Sequence, residues 1–182
     1  LSLRRQRQMC IRDSYNAIAG VAEARGVDLS AIKACISGGA PLPAEVRVAF
    51  ETTTGGKLVE GYGLSEASPI ITCNPLTGEN KGGSAGIPFP GTIIEIRDRD
   101  NPDRLMPPGE VGEICARGPQ VMAGYWNRPT ETEQVFVDGA LRTGDVGYLD
   151  EDGYLFIVDR IKDVILCGGY NVYPRVIEEA LY

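Results

Sequence analysis

The sequence predicts an α/β region followed by a mainly β region, and two textures predict it. Up to about Pro90, short apolar runs end in glycine-rich loops and alternate with helical stripes. After Pro88-Phe89-Pro90-Gly91, Ile, Val and aromatic residues gather in short runs between Gly, Pro and Asp turns.

In chain order, Ile18, Val21 and Ala22 give a helical stripe that ends at Gly26. The apolar run Ile32 to Ile36 reads as a strand feeding the loop Ser37-Gly38-Gly39-Ala40-Pro41. Pro43 opens a helix with Val46, Ala49 and Phe50 on one face, and Gly55-Gly56 stops it. Leu58-Val59 begins a second strand that runs into Gly61-Tyr62-Gly63. Two successive strand ends thus carry glycine-rich loops, and in open α/β sheets ligands sit beyond such ends.

In the second region Ile93 to Ile96, Val111 to Ala116, Val146 to Leu149 and Tyr154 to Val158 read as strands of a small barrel or sandwich. Pro129 to Phe136 is expected as a short helical insertion and Asp150 to Gly153 as a turn. Val164 to Cys167 follows as a last strand, and Pro174 to Leu181 as the start of a helix. Leu1 to Ser14, polar and arginine-rich, is read as a non-native leader outside the fold, with a native surface helix as the alternative.

Composition narrows the function. The 182 residues are 43% hydrophobic and 24% charged, enough to bury a sizeable core. Eighteen basic residues against 25 acidic ones leave a net charge of -7. Without a basic stripe to displace counterions, non-specific nucleic-acid binding is excluded, and any nucleotide bound is a small one. Five cysteines without CxxC spacing signal neither a disulfide framework nor a zinc site, and read as buried thiols of a reducing, cytoplasmic compartment. The chain has no histidine, which removes Ser-His-Asp and Cys-His chemistry and leaves positioning, metal and charge. No run of eighteen apolar residues offers a membrane span.

Several segments carry residues suited to a nucleotide. Ser37 to Leu42 offers small side chains and exposed backbone, against which a flat purine could lie; a plain turn is the alternative. In Glu60 to Glu66, Tyr62 can stack on a base, Ser65 can donate to a phosphate, and Glu66 can hold Mg²⁺. A loop whose Ser65 and Glu66 cap nearby backbone fits the same residues. Asp145, after Thr143-Gly144 and between two strands, can accept from both ribose hydroxyls or serve as a β-turn residue. Arg160 adds a charged fork for ribose and phosphate oxygens, and Gly168-Gly169-Tyr170-Asn171 a second loop of close approach. Lys162 and Asp163 taken singly are solvated charges.

In combination these segments resemble the adenylate-forming superfamily, and within it the long-chain fatty acyl-CoA synthetases. The resemblance runs from about Tyr15 to Tyr182 and includes Gly112-Glu113-Ile114, Arg117-Gly118-Pro119, Gly124-Tyr125-Trp126 and Gly168 to Pro174. It implies a two-step reaction in which a carboxylate and ATP give an acyl-adenylate and pyrophosphate, and coenzyme A then takes the acyl group. It also implies roles for particular residues. Gly39, Ala40 and Pro41 with Glu60, Gly61, Tyr62 and the adjoining Gly63 would line the adenine, Ser65 would touch phosphate, and Glu66 would hold Mg²⁺. Asp145 and Arg160 would hold the ribose, Lys162 would be a hinge, and Gly168 and Gly169 would approach the pantetheine arm.

The resemblance divides the chain into residues 15–90 of the α/β region, 91–159 of a β-barrel-like region, and 160–182 as hinge and start of a mobile domain. It also implies that a Ser/Thr/Gly-rich phosphate loop and a catalytic lysine lie outside these 182 residues, so this polypeptide alone is expected to be inactive. The parent protein would act on a carboxylic acid, ATP and CoA, with no transmembrane segment and room for peripheral membrane association. A non-catalytic nucleotide-binding module, an aryl-CoA ligase and a carrier-protein adenylation domain are the alternatives.

Overall fold

The computed structural model describes residues 12–161, 165–167 and 170–172. The expected helix at Pro174 to Leu181, and Leu1 to Ile11 of the expected leader, lie outside them. The first helix, α1 (Arg12–Arg25), starts before the expected beginning of the fold at Tyr15. Among its described side chains Tyr15 and Ala19, one turn apart, are buried, whereas Ile18 is 43% and Val21 51% exposed. Ile18 and Val21 of the expected stripe therefore do not face the core. Tyr15 packs edge-on against Phe50 with ring centroids 5.0 Å apart, and its hydroxyl donates to the Ile36 carbonyl at 2.6 Å. One aromatic side chain thus fills the core and satisfies its own polar end.

Strand β1 (Ala34–Ser37), helix α2 (Ala44–Thr54) and strand β2 (Lys57–Gly63) form a parallel β-α-β unit, with Cys35 opposite Leu58 and Ser37 opposite Glu60. Helix α2 begins after Pro43 and ends at Gly55, whose φ of 70° lies in the left-handed region and whose N–H donates to the Glu51 carbonyl. Two strands that the sequence reading did not find, β3 (Ile70–Cys73) and β4 (Ile87–Pro88), extend this sheet antiparallel in the order β1-β2-β3-β4. The ladder between β2 and β3 shifts register at Tyr62/Gly63. A side chain at Gly63 would collide with the Pro69 carbonyl, so the close approach of the two backbones requires glycine there.

The second sheet is antiparallel. It contains β5 (Ile93–Arg97), β6 (Gly112–Arg117), β7 (Phe136–Val137), β8 (Ala140–Leu149) and β9 (Leu155–Arg160), in the order β5-β6-β8 with β7 and β9 both paired to β8. Among the described residues no pairing closes it into a barrel. Pro129 opens the short helix α3 (Pro129–Gln134), and strands β10 (Ile165–Cys167) and β11 (Tyr170–Val172) make a separate two-stranded ladder.

One apolar cluster joins the two sheets: Ala67, Ile71 and Ala85 pack with Ile94, Ile96, Ile114, Ala116 and Leu155, all buried. Backbone bonds reinforce the joint, since Ala85 N–H donates to the Leu155 carbonyl and Leu155 N–H to the Gly86 carbonyl. Lys81 adds an ionic strap to Asp150 at 2.6 Å and Asp152 at 2.8 Å and lies over the Tyr154 ring. On its opposite face the second sheet carries Glu95, Arg97, Glu113, Cys115, Arg117 and Arg142, paired as Glu95 with Arg97 and Arg117, and Glu113 with Arg142. No described helix is long and apolar enough to cross a membrane.

Candidate active site

The ends of β1 and β2 meet β8 and β9 at a cleft of about 310 Å³, near the lower end of the usual range for small-ligand sites. Gly39, Ala40 and Pro41 line one side and Glu60, Gly61, Tyr62 and Gly63 the next; Asp145 and Arg160 come from the second sheet. The topology thus brings together nine of the residues read from sequence. Ile157 and Asp159 of β9 also line the cleft, and the sequence reading gave them no role. They flank Val158, where the ladder with β8 shifts register, an irregularity that the sequence pattern does not mark.

Thr143-Gly144-Asp145 is not a connection between two strands, as its glycine implied. It lies inside the ten-residue strand β8, where Gly144 has a φ of 74° and breaks the regular ladder without ending the strand. Asp145 is buried and stands opposite Arg160 in the antiparallel pair with β9. Its Oδ2 accepts from the Tyr62 hydroxyl at 2.6 Å, and its Oδ1 lies 3.2 Å from Arg160 Nε. Burial raises the Tyr62 phenol well above its ordinary pKa, the charge and hydrogen bond of Asp145 raise it further, and Thr143 and Arg160 pull weakly the other way. Tyr62 therefore stays protonated and donates.

Glu60 turns one oxygen to the Leu42 N–H at 3.1 Å, tying the loop after β1 to the end of β2. Ser65 and Glu66 lie on the 3₁₀ turn Ser65–Ala67 just past β2, outside the cleft wall. Ser65 is exposed and Glu66 half-buried. Glu66 Oε1 accepts from the Tyr125 hydroxyl at 2.9 Å, and its carbonyl accepts from Met122 N–H at 2.7 Å. Fifty-nine residues separate the two side chains, and sequence spacing gave no signal of their pairing. Lys162, Gly168 and Gly169 lie outside the described residues.

The donor chemistry fits a nucleotide brought with a hydrated cation. Among the described residues no cluster of three or more His, Cys, Asp or Glu side chains could hold a metal. A lone carboxylate such as Glu66 suits Mg²⁺, which takes one or two carboxylates and completes its shell with phosphate oxygens and water. Small residues beside the Tyr62 ring leave room for a flat base, and a buried carboxylate next to a guanidinium offers hydroxyl and anion partners close together.

Known proteins are similar to this chain in sequence and in fold. The chain is 57% identical over 160 residues to the long-chain-fatty-acid–CoA ligase of Bacillus subtilis, a match that takes in 88% of this chain and 28% of that protein. It is 47% identical over 167 residues to the long-chain-fatty-acid–CoA ligase of Yersinia pestis, taking in 92% of this chain and 29% of that one. The chain thus spans less than a third of the length of these relatives. Among solved structures, O-succinylbenzoate coenzyme A synthetase from Bacillus subtilis, in complex with ATP and magnesium ion, superposes with a TM-score of 0.81 at 34% identity. That superposition covers 94% of this chain and 35% of the synthetase. The two sheets are accordingly part of the adenylate-forming enzyme fold. The family described as AMP-binding enzyme matches residues 5–126, from before α1 to the loop that carries Tyr125, and the chain belongs to that family.

Proposed function

We propose that this chain is the nucleotide-holding portion of an AMP-forming acyl-CoA ligase, which joins a long-chain fatty acid to ATP as an acyl-adenylate and passes the acyl group to coenzyme A. The observation that carries the reading is the meeting of Tyr62, Asp145 and Arg160 at one end of a cleft walled by Gly39 to Pro41. In this reading the adenine lies between Tyr62 and the backbone of Gly39, Ala40 and Pro41, with Glu60, Gly61 and Gly63 shaping the rim. Asp145 accepts from the ribose hydroxyls, and Arg160 turns from Asp145 toward ribose and phosphate oxygens. Ser65 donates to phosphate, and Glu66 holds Mg²⁺, which would neutralise phosphate charge.

Lys162 as hinge, Gly168 and Gly169 beside the pantetheine arm, and the division at residues 90 and 160 belong to the same proposal. The preference for a fatty acid rests on 57% and 47% identity to two ligases named for that substrate, against 41% to a feruloyl-CoA synthase. Cys73 and Cys115, both free thiols, suit the reducing cytoplasm we assign to the protein.

Calorimetric titration of the 182-residue chain with AMP tests the reading. Binding that Asp145→Asn weakens supports it; no binding by the unaltered chain overturns it. Since positioning and electrostatics supply such catalysis, and among the described residues only Arg160 brings a cation to the cleft, the chain by itself should release no pyrophosphate with fatty acid and ATP.

A further inference from the structure

Strands β6 and β8 fall out of step beside the cleft. Glu113 is opposite Val146 and Cys115 is opposite Arg142, so the single residue Ile114 faces three: Thr143, Gly144 and Asp145. A bulge of this kind re-aims a side chain, and leaves backbone groups that the ladder no longer pairs. Thr143 serves two of them. Its hydroxyl donates to the Ile114 carbonyl at 2.8 Å and accepts from the Asp145 N–H at 3.1 Å, using its one proton across the strands and a lone pair along its own. Gly144, with a φ of 74°, turns the arch, and its carbonyl accepts from the Ile161 N–H at 2.9 Å.

We propose that Thr143 is the positioning residue for Asp145: its hydroxyl closes the arch that aims the Asp145 carboxylate into the cleft. The inference rests on the reading of Asp145 as the ribose contact. Valine at this position keeps the branched shape and loses both hydrogen bonds; serine keeps both. The bulge is specified by a side chain as well as by the glycine, so the glycine alone should not place the carboxylate.

The test is calorimetry on the full 182-residue chain with two probes, AMP and 2′,3′-dideoxy-AMP, each titrated to saturation. Thr143→Val should raise the AMP dissociation constant about tenfold, the order expected for loss of one well-placed hydrogen bond. Thr143→Ser should stay within about twofold, and Thr143→Val should bind the dideoxy nucleotide as the unaltered chain does, because the contact being aimed is then absent. Thermal unfolding checks that each variant is folded; if Thr143→Val is not, Thr143→Ala takes its place with the same expectations. Equal weakening of both nucleotides, equal weakening by serine and valine, or AMP affinity unchanged in Thr143→Val while Asp145→Asn loses it would each overturn the positioning role. Undiminished AMP binding by Asp145→Asn would instead remove the ribose reading beneath it.

Discussion

Asp145 and Arg160 face each other across the β8–β9 ladder, and the two ends of the pair differ in burial: the Asp145 side chain is 10% exposed and that of Arg160 73%. A carboxylate so placed is fixed, while its guanidinium partner is free to swing.

Arg160→Ala should therefore separate folding from binding. An ion pair with one exposed arm contributes little to stability, so the midpoint of thermal unfolding should hardly move. Affinity for AMP should fall about tenfold or more, as the charge-assisted nucleotide contact proposed for Arg160 is lost. Differential scanning calorimetry and AMP titration on one preparation read both; a large loss of stability with unchanged affinity would contradict the assignment.

Above neutrality, stability should decline in steps. Burial, with Glu113 beside it, pushes the Cys115 thiol from 9.0 up to about 12, and burial also raises Cys73. Tyr62 and Lys81 are raised from 10.0 and 10.5, Lys81 by its bonds to Asp150 and Asp152. Each group holds its proton more tightly folded than unfolded, so the unfolded chain releases protons first and stability falls as pH climbs past each unfolded value. Urea unfolding from pH 8 to 11 should show the decline starting near 9.0, and Cys73→Ala with Cys115→Ala should delay it to about 10.0.

In acid the dependence reverses. Burial pushes Glu95 up, but hydrogen bonds and charge from Arg117 and Arg97 outweigh it and leave its carboxyl below 4.5. Its stabilisation is present above 4.5 and lost as pH falls through the lower folded value. Glu95→Gln leaves Arg97, whose side chain is 4% exposed, with the Pro102 carbonyl and only the more distant Asp138 carboxylate at 3.8 Å, at a cost of roughly 2 kcal/mol near neutral pH. The gap between variant and parent should narrow below pH 4.5, as urea midpoints would show.

Tyr125→Phe removes the hydroxyl that orients Glu66. On the role proposed for Glu66 in holding Mg²⁺, losing such a partner commonly costs ten- to a hundredfold in metal affinity, so the Mg²⁺ needed for half-maximal ATP binding should rise by about tenfold. Magnesium titration at fixed ATP measures this directly; AMP binding without metal should stay unchanged.

Much of the cleft was legible because glycine-rich strand ends and charged residues announce themselves locally. Gly39 to Pro41 and Glu60 to Gly63 were found on strands β1 and β2, whose parallel pairing follows from the helix between them. The misses share a physical origin. Ile70 to Cys73 is a four-residue strand with no alternation long enough to mark it, and it exists through its ladders with β2 and β4. The apolar stripe of α1 pointed to Ile18 and Val21, whereas Tyr15 carries the packing because its hydroxyl reaches the Ile36 carbonyl. Gly144 reads from sequence as lying between two strands, but it sits inside β8, where the Thr143 hydroxyl bonds to the Ile114 carbonyl. Tyr125 meets Glu66 only through the fold.

The apolar cluster that joins the two sheets has a calorimetric consequence. Because Ile71 and Ala85 are locked against Leu155 and Ile114, the walls of the cleft come from sheets already held together before a ligand arrives. The conformational entropy of forming the site is then lost during folding, and little is left to lose on association. Nucleotide binding should accordingly show a heat-capacity change no larger than the ligand's own buried surface requires, the signature of a rigid receptor in contrast to one that orders around its guest.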